Sequence, residues 1–449
     1  MASFRPRFLL LITSLFVFIF SLSFAAADQK SFRPRALVLP VTKDANSGQY
    51  VTTLKQRTPL VPVKLTVDVG GRFMWVDCDT NYVSSTYRTP LCSSAQCSLA
   101  NRYACGGCIG EPRPGCHNNS CTILPQNVYN LVTMIGELTE DVVSVSSTDG
   151  SNPGRAVSVP RFLFSCAPSS LSINLANGVT GMAGLGRTRV GMPSLFASAF
   201  SFRRKFALCL PSDSSSTGAL FFGDSPYKFL PGGIDAASLL SFTPLILNPV
   251  SFAAVPKPGE ASAEYYIGVK SIRVNGKTVP AVNSTLLKLN KEGNGGTRIS
   301  TADSVFYSTY TTLQTSIYDA VLAAFVLEAK SMNIIEVPAA SPFGACFSTK
   351  SLRSTRVGPA VPTIDLVMHT RKVYWRIFGA NSIVDLGDDI SCLGFVDGGV
   401  NARNAILING YQLEDNLLQF DLASSSLGFT SSLRFRHTTC SNFNFTSNA

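Results

Sequence analysis

Twelve cysteines, six of them crowded between positions 92 and 121, point to a chain folded around covalent cross-links. An even count suits an oxidising compartment. The crowded set is Cys92, Cys97, Cys105, Cys108, Cys116 and Cys121. Cys78, Cys166, Cys209, Cys346, Cys392 and Cys440 are spread widely, as staples across long loops would be, each worth roughly 2–4 kcal/mol. Cys105-Gly-Gly-Cys108 also has the spacing of half a zinc site. With only 3 histidines in the chain, disulfides are the expected use and no metal or cofactor is expected. Counting does not give the connectivity.

The amino terminus agrees with export. Arg5 and Arg7 precede the apolar run Phe8 to Phe20, and Ala25-Ala-Ala27 offers a small-residue cleavage site. Residues 1–27 are therefore expected to be a signal peptide rather than a retained anchor, with no membrane association after cleavage. Sequons at Asn118, Asn283 and Asn444 fit a secreted glycoprotein. The net charge of +10 suits acidic partners such as anionic wall polymers, or serves solubility alone. No dense Lys/Arg run with interleaved aromatics points to nucleic acid.

With 45% hydrophobic and 15% charged residues, 449 positions suffice for two cored halves. Short alternating runs such as Tyr50–Leu54 and Val61–Val67 read as strands. So do Gly136–Val145 and Arg161–Ser165. Tyr265–Val279 reads as one hairpin turning at Asn275-Gly276. Pro193–Phe200 and Ser316–Ala329 read as helices. The link between halves is expected in Pro226–Ser241. The expected organisation is mainly β: residues 28–235 with a cysteine-rich insert at 92–121, residues 236–435, and a tail at 436–449.

Each half contains a strand running into a glycine-bearing loop. The first is Leu65-Thr-Val-Asp-Val-Gly-Gly-Arg-Phe-Met-Trp-Val76, the second Gly295-Gly-Thr-Arg-Ile-Ser-Thr-Ala-Asp303. The pair resembles the active-site loops of pepsin-type aspartic proteases, and Gly181-Met-Ala-Gly-Leu-Gly186 and Ala405–Asp421 are similar to that family's strand motifs. The resemblance implies a bilobal fold of two β-barrel-like lobes around a cleft. In that family two aspartates share one proton, because two such close charges cannot both ionise. The ionised one activates water. Here Asp68 matches one aspartate, but Ser300 stands at the other. Val69 and Gly71 replace the hydroxyl residues that would support Asp68, and Ala302 replaces a glycine. Asp303 lies three residues beyond Ser300 and is expected to be structural or superficial. Tyr129 aligns with the flap tyrosine, but the tip reads Asn130-Leu-Val-Thr133, so a working lid is not expected. No protease activity is expected.

Longer motifs narrow the resemblance. Gly70–Asp79, Asn81–Tyr87, Phe164–Pro168, Phe343–Ser348 and Gln412–Asn416 are similar to plant extracellular dermal glycoproteins, basic 7S globulins and xylanase inhibitors. This group implies a secreted, monomeric, proteolytically inactive protein that inhibits microbial glycoside hydrolases, above all xyloglucan-specific endoglucanases or xylanases. Such enzymes hold two carboxylates in an open cleft, which an inserted guanidinium would pair. The group's inhibitory loops lie in the C-terminal half. The matching residues are Arg403, with Asn401 and Asn404 beside it, and Lys330 in Lys330–Glu336, a loop that offers no arginine. A storage or peptide-binding globulin is the alternative, and a residual acid protease the less favoured one.

Overall fold

Val61–Asp68 illustrates how a strand is laid down by alternation and then buried. Lys64 faces out, whereas Leu65 through Asp68 are buried without interruption as the strand dives between neighbours. The computed structural model describes residues 32–303 and 309–446. Residues 1–27, expected to be a signal peptide, lie outside the described residues, and of the unit Met1–Pro34 only 32–34 are described. The second unit begins at Arg35 and holds both halves.

The two halves repeat one topology. Val61–Asp68 pairs antiparallel with Tyr50–Gln56 and parallel with Gly181–Gly184. Gly181–Gly184 in turn pairs antiparallel with Trp75–Asp77, which runs parallel to the end of Pro153–Ala167. In the second half Thr297–Ile299 pairs antiparallel with Tyr265–Ile267 and parallel with Ile406–Ile408. Ile406–Ile408 then pairs antiparallel with Thr311–Leu313, which runs parallel to Phe395–Asp397. Both glycine-bearing loops thus leave the ends of equivalent strands. The fold is mainly β, bilobal and pepsin-like.

A shared sheet joins the halves. Lys205–Cys209 pairs with Leu417–Asp421, which pairs with Ser426–Phe429, which pairs with the start of Ser241–Ile246. Phe206 and Phe420 stack across this junction with centroids 4.6 Å apart. The Tyr265 hydroxyl reaches across to donate to the Leu185 carbonyl at 2.8 Å.

All twelve cysteines are paired. Cys92–Cys105, Cys97–Cys121 and Cys108–Cys116 close the insert upon itself. Cys105 and Cys108 go to different partners, so the zinc reading of that pair is overturned. Cys78–Cys166 ties the first loop's strand to its neighbour, Cys346–Cys392 spans a small sheet, and Cys209–Cys440 pins the carboxy-terminal segment.

Helix Thr315–Ser331 buries Ile317, Tyr318, Val321 and Phe325 and is capped by the Gln314 side chain. Met192–Phe200 carries Pro193 in its first turn and ends in left-handed Ser201. The run Tyr265–Val279 differs from expectation. Only Ser271–Val274 and Lys277–Thr278 form the hairpin, around Asn275 and Gly276 at φ 50° and 79°. Tyr265–Ile267 belongs to another sheet and is wholly buried. A continuous β-rich run does not reveal where the chain changes sheets. The segment 226–241 folds as a small hairpin, Lys228–Phe229 with Ile234–Asp235, followed by one 3-10 turn.

Candidate functional site: the cleft between the two loops

Asp68 ends its strand with its backbone carbonyl accepting from Leu185 and Gly71 (2.8 and 3.2 Å). Its carboxylate accepts from the Gly70 N–H at 3.0 Å. Gly71 is fixed by proximity: a Cβ there would lie 2.8 Å from both Asp68 Oδ2 and Gly184 Cα. The loop can wrap around the carboxylate only because Gly71 has no side chain.

The second loop supports the first. The Thr301 hydroxyl donates to the Val67 carbonyl at 2.6 Å and accepts from the Val69 N–H at 3.1 Å. The Ser300 hydroxyl donates to the Ala302 carbonyl at 2.6 Å, turning back on its own loop. Ala302 is buried against Trp75, Met182 and Leu171, where a glycine would leave space. Asp303, expected to be structural or superficial, is structural: it is buried, with Oδ2 3.7 Å from Arg298 Nη2.

Burial pushes the Asp68 carboxyl up to about 7, and the nearby Glu264 charge adds to this, against the Gly70 N–H and Arg298. Tyr129 belongs to the same neighbourhood. Burial raises its hydroxyl, with further contributions from the Asp68 and Asp303 charges. The hairpin Gln126–Asn127 with Val132–Thr133 is tied down rather than free. Asn127 donates to the Leu171 and Ile173 carbonyls at 2.8 and 2.9 Å, Asn130 donates to Ile173 at 3.1 Å, and Trp75 Nε1 donates to Gln126 O at 3.0 Å.

Glu264 organises the other wall. Its carboxylate takes guanidinium donors from both Arg298 and Arg403, and hydroxyl donors from Ser262 and Tyr266 at 3.1 and 2.9 Å. Burial would raise its pKa, but Arg298 and Arg403 outweigh it and bring the group to about 2. Arg403 also lies over the Phe252 ring, 3.8 Å from its centroid. Between these walls is a cavity of about 250 Å³ lined by Asp68, Phe73, Trp75, Phe252, Arg298 and Ser300 among others.

These contacts correct two expectations. Arg403 is not a free finger but is committed to Glu264, Tyr266 and Phe252, with 30% of its side chain exposed. Asn404 is buried, its amide directed to Gly295 O and Tyr266 Oη. The turn residues around them suggest exposure, yet the loop's side chains fold inward onto a carboxylate 139 positions away. Asn401 is exposed beside Val400, which is 69% exposed. Lys330 is exposed beside Met332 and Ile335. The Val400 carbonyl accepts from Gln314 at the start of helix Thr315–Ser331, and Lys330 sits at its end. The two loops therefore flank one helix, roughly 25 Å long at 1.5 Å per residue. Asn118 and Asn283 are exposed; Asn444 is partly so.

Glu264, Arg298 and Tyr266 were not singled out from the sequence. The usable signal was local: Arg298 stands two residues before Ser300, so strand alternation puts both on one face. Nothing local marks Glu264 as its partner.

Comparison with known proteins agrees with this geometry. Residues 50–224 match the family model described as xylanase inhibitor N-terminal, and residues 264–431 the one described as xylanase inhibitor C-terminal. The chain is 55% identical over 430 residues to "Probable aspartic proteinase GIP2" of Nicotiana benthamiana, covering 96% of each. It is 42% identical over 449 residues to "Gamma conglutin 1" of Prunus dulcis, covering 99% of this chain and 98% of the relative. The crystal structure of "edgp" superposes with a TM-score of 0.90 at 58% identity, covering 93% of this chain and all of that one. The chain belongs to the xylanase-inhibitor family, built on a pepsin-like fold and related to the conglutins and basic 7S globulins.

Proposed function

We propose that this protein is a secreted inhibitor of a microbial cell-wall-degrading glycoside hydrolase, with xyloglucan-specific endo-β-1,4-glucanase as the first candidate and xylanase as the second. The observation that carries this reading is the match of both halves to xylanase-inhibitor models over residues 50–224 and 264–431. The cleft chemistry supports it from the other side. Ser300 occupies the position of the second catalytic aspartate, and its hydroxyl is spent on Ala302. Asp68, raised to about 7 by burial, has Glu264 as its carboxylate neighbour, and Arg298 and Arg403 hold that group ionised so that it does not share a proton. The protein works in the extracellular space as a monomer, glycosylated at Asn118, Asn283 and Asn444, and its mature chain, still basic once Arg5 and Arg7 are removed, favours anionic wall polymers. The halves divide near 235/236.

The target-facing surface is the pair of loops flanking helix Thr315–Ser331. Val400 and Asn401 make contact at one end, and Lys330, Met332 and Ile335 at the other. Arg403 and Asn404 fix the first loop through Glu264 and Gly295. The mature protein, added at equimolar ratio, should suppress xyloglucanase or xylanase activity. Failure to bind any enzyme of a broad endoglucanase and xylanase panel would sink the reading. Within it, Asn401→Trp should weaken inhibition at least tenfold with an unchanged melting temperature. An unchanged inhibition constant would move the contact elsewhere.

A further inference from the structure

Inhibition through surface loops leaves the cavity over Asp68 without a role. Its walls carry Phe73, Ile123 and Val128 from the first half and Phe252 and Val255 from the second, with Arg72, Lys257 and Glu260 among them. Its polar end is Asp68 with Arg298 and Ser300. At about 250 Å³ it lies just below the usual size of ligand sites, about 300–1,000 Å³, and so suits a small ligand.

The polar end is rich in donors. Arg298 gives Nη1 to Glu264, holds Nη2 only 3.7 Å from Asp303, and has no partner for Nε. Glu264 is also shared with Arg403. In and around the cavity, Arg72, Lys257, Arg298 and Arg403 face Glu260, Glu264 and Asp303, so one positive charge is left over whenever Asp68 carries its proton. A protonated Asp68 is itself a donor. The two carboxyls that flank this end stand on either side of Gly70, where a Cβ would lie 3.3 Å from Glu264 Cγ and 3.7 Å from Asp68 Oδ1. An aliphatic or aromatic body would fill the apolar walls while an anionic head meets these donors.

We propose that the cavity binds a small carboxylate with an apolar body, its head group held by Arg298 and the Asp68 carboxyl. The carboxylate could be a free organic acid or the carboxy-terminal residue of a peptide; the chemistry is the same. The site shares Glu264 and Arg403 with the support of the first target-facing loop, but ligand binding and hydrolase inhibition are separate readouts, so either can fail without the other.

Proton linkage gives the proposal its signature. Asp68 is faced by Arg298 and Glu264 from the opposite wall and by Tyr129 from the hairpin, and Asp303 faces Tyr129 and Arg298. Its carboxyl sits at about 7, whereas Glu264 stays ionised down to about 2. Between pH 5 and 8 the group that changes state at the ligand is Asp68. Ionised Asp68 removes the surplus charge and repels the ligand, so affinity should be flat at pH 5–6 and fall about tenfold per pH unit above the Asp68 pKa.

The test is titration of the full mature chain with benzoate, and with N-acetyl-Val-Phe as its acid and as its amide, by calorimetry at pH 5, 6, 7 and 8. The acids should bind at pH 5, weaken at pH 8, and outcompete the amide at least tenfold. A peptide acid at least tenfold tighter than benzoate identifies a chain end as the natural source; the reverse order identifies a free acid. Arg298→Met should abolish binding, but it leaves Glu264 with a single guanidinium and can impair folding. Asp68→Asn is the safer probe: it should bind at pH 5 and lose the pH dependence. No heat with either acid at pH 5, equal binding of acid and amide, or an unaltered pH profile in Asp68→Asn would each overturn the site.

Discussion

The two glycine-bearing loops occupy equivalent places in equivalent halves, yet their chemistry is complementary rather than equal. The first has a carboxylate, Asp68, and a hydrocarbon, Val69, after it. The second has no carboxylate at Ser300 but carries the Thr301 hydroxyl. That hydroxyl satisfies both Val67 O and Val69 N–H of the opposite loop, so it is a tie between halves before it is anything else. A buried amide and carbonyl left without partners would cost more than the bond itself yields. The carboxylate has no such structural debt: the Gly70 and Gly71 N–H groups and the Arg298 charge oppose a larger burial effect. The tie between the two loops is therefore held by the Thr301 hydroxyl and not by the Asp68 carboxyl.

The largest expected effect tests the acid. The folded Asp68 value of about 7 lies above its ordinary 3.8, so the folded state holds the proton more tightly than the unfolded state. This contribution is fully present below about pH 4 and is lost as pH rises through 7. The full swing is on the order of 4 kcal/mol from 1.36 kcal/mol per pKa unit. Asp68→Asn should therefore gain stability relative to wild type as pH is raised from 4 to 7, measured by urea unfolding at each pH. Parallel pH curves would mean that Asp68 ionises freely.

The tie comes next. Thr301→Val orphans the Val69 N–H and the Val67 carbonyl and should cost about 2 kcal/mol, whereas Thr301→Ser should keep most of the stability. Equal midpoints for Val and Ser would remove the tie. The smallest effect is expected from Val69→Thr. If the halves are equivalent at this depth, the new hydroxyl finds the backbone of the second loop as Thr301 finds the first, and the change stays within about 1 kcal/mol. A cost near 2–3 kcal/mol would mark a buried hydroxyl without a partner and break the equivalence.

Much of this was legible along the chain. The β character, helix Thr315–Ser331 and the Asn275-Gly276 turn follow from periodicity and turn chemistry, because those are local properties. The loops at Asp68 and Ser300 were legible as motifs. Sheet changes were not, as Tyr265–Ile267 shows, since strand propensity carries no record of the partner strand. Arg403 is the sharpest case. Its turn-rich flanks suggest a projecting side chain, but it pairs with Glu264, which the sequence separates by 139 positions.

The sequence by itself determined the β character, the two main helices, the even set of cysteines and the serine at position 300 of the second loop. Each is a matter of residue identity or short spacing. Only the tertiary structure decided which cysteines meet, that Thr301 serves the opposite loop, and that Glu264 gathers Arg298 and Arg403 beside the cavity. These depend on contacts between residues tens to hundreds of positions apart, brought together by packing two repeated halves around one cleft.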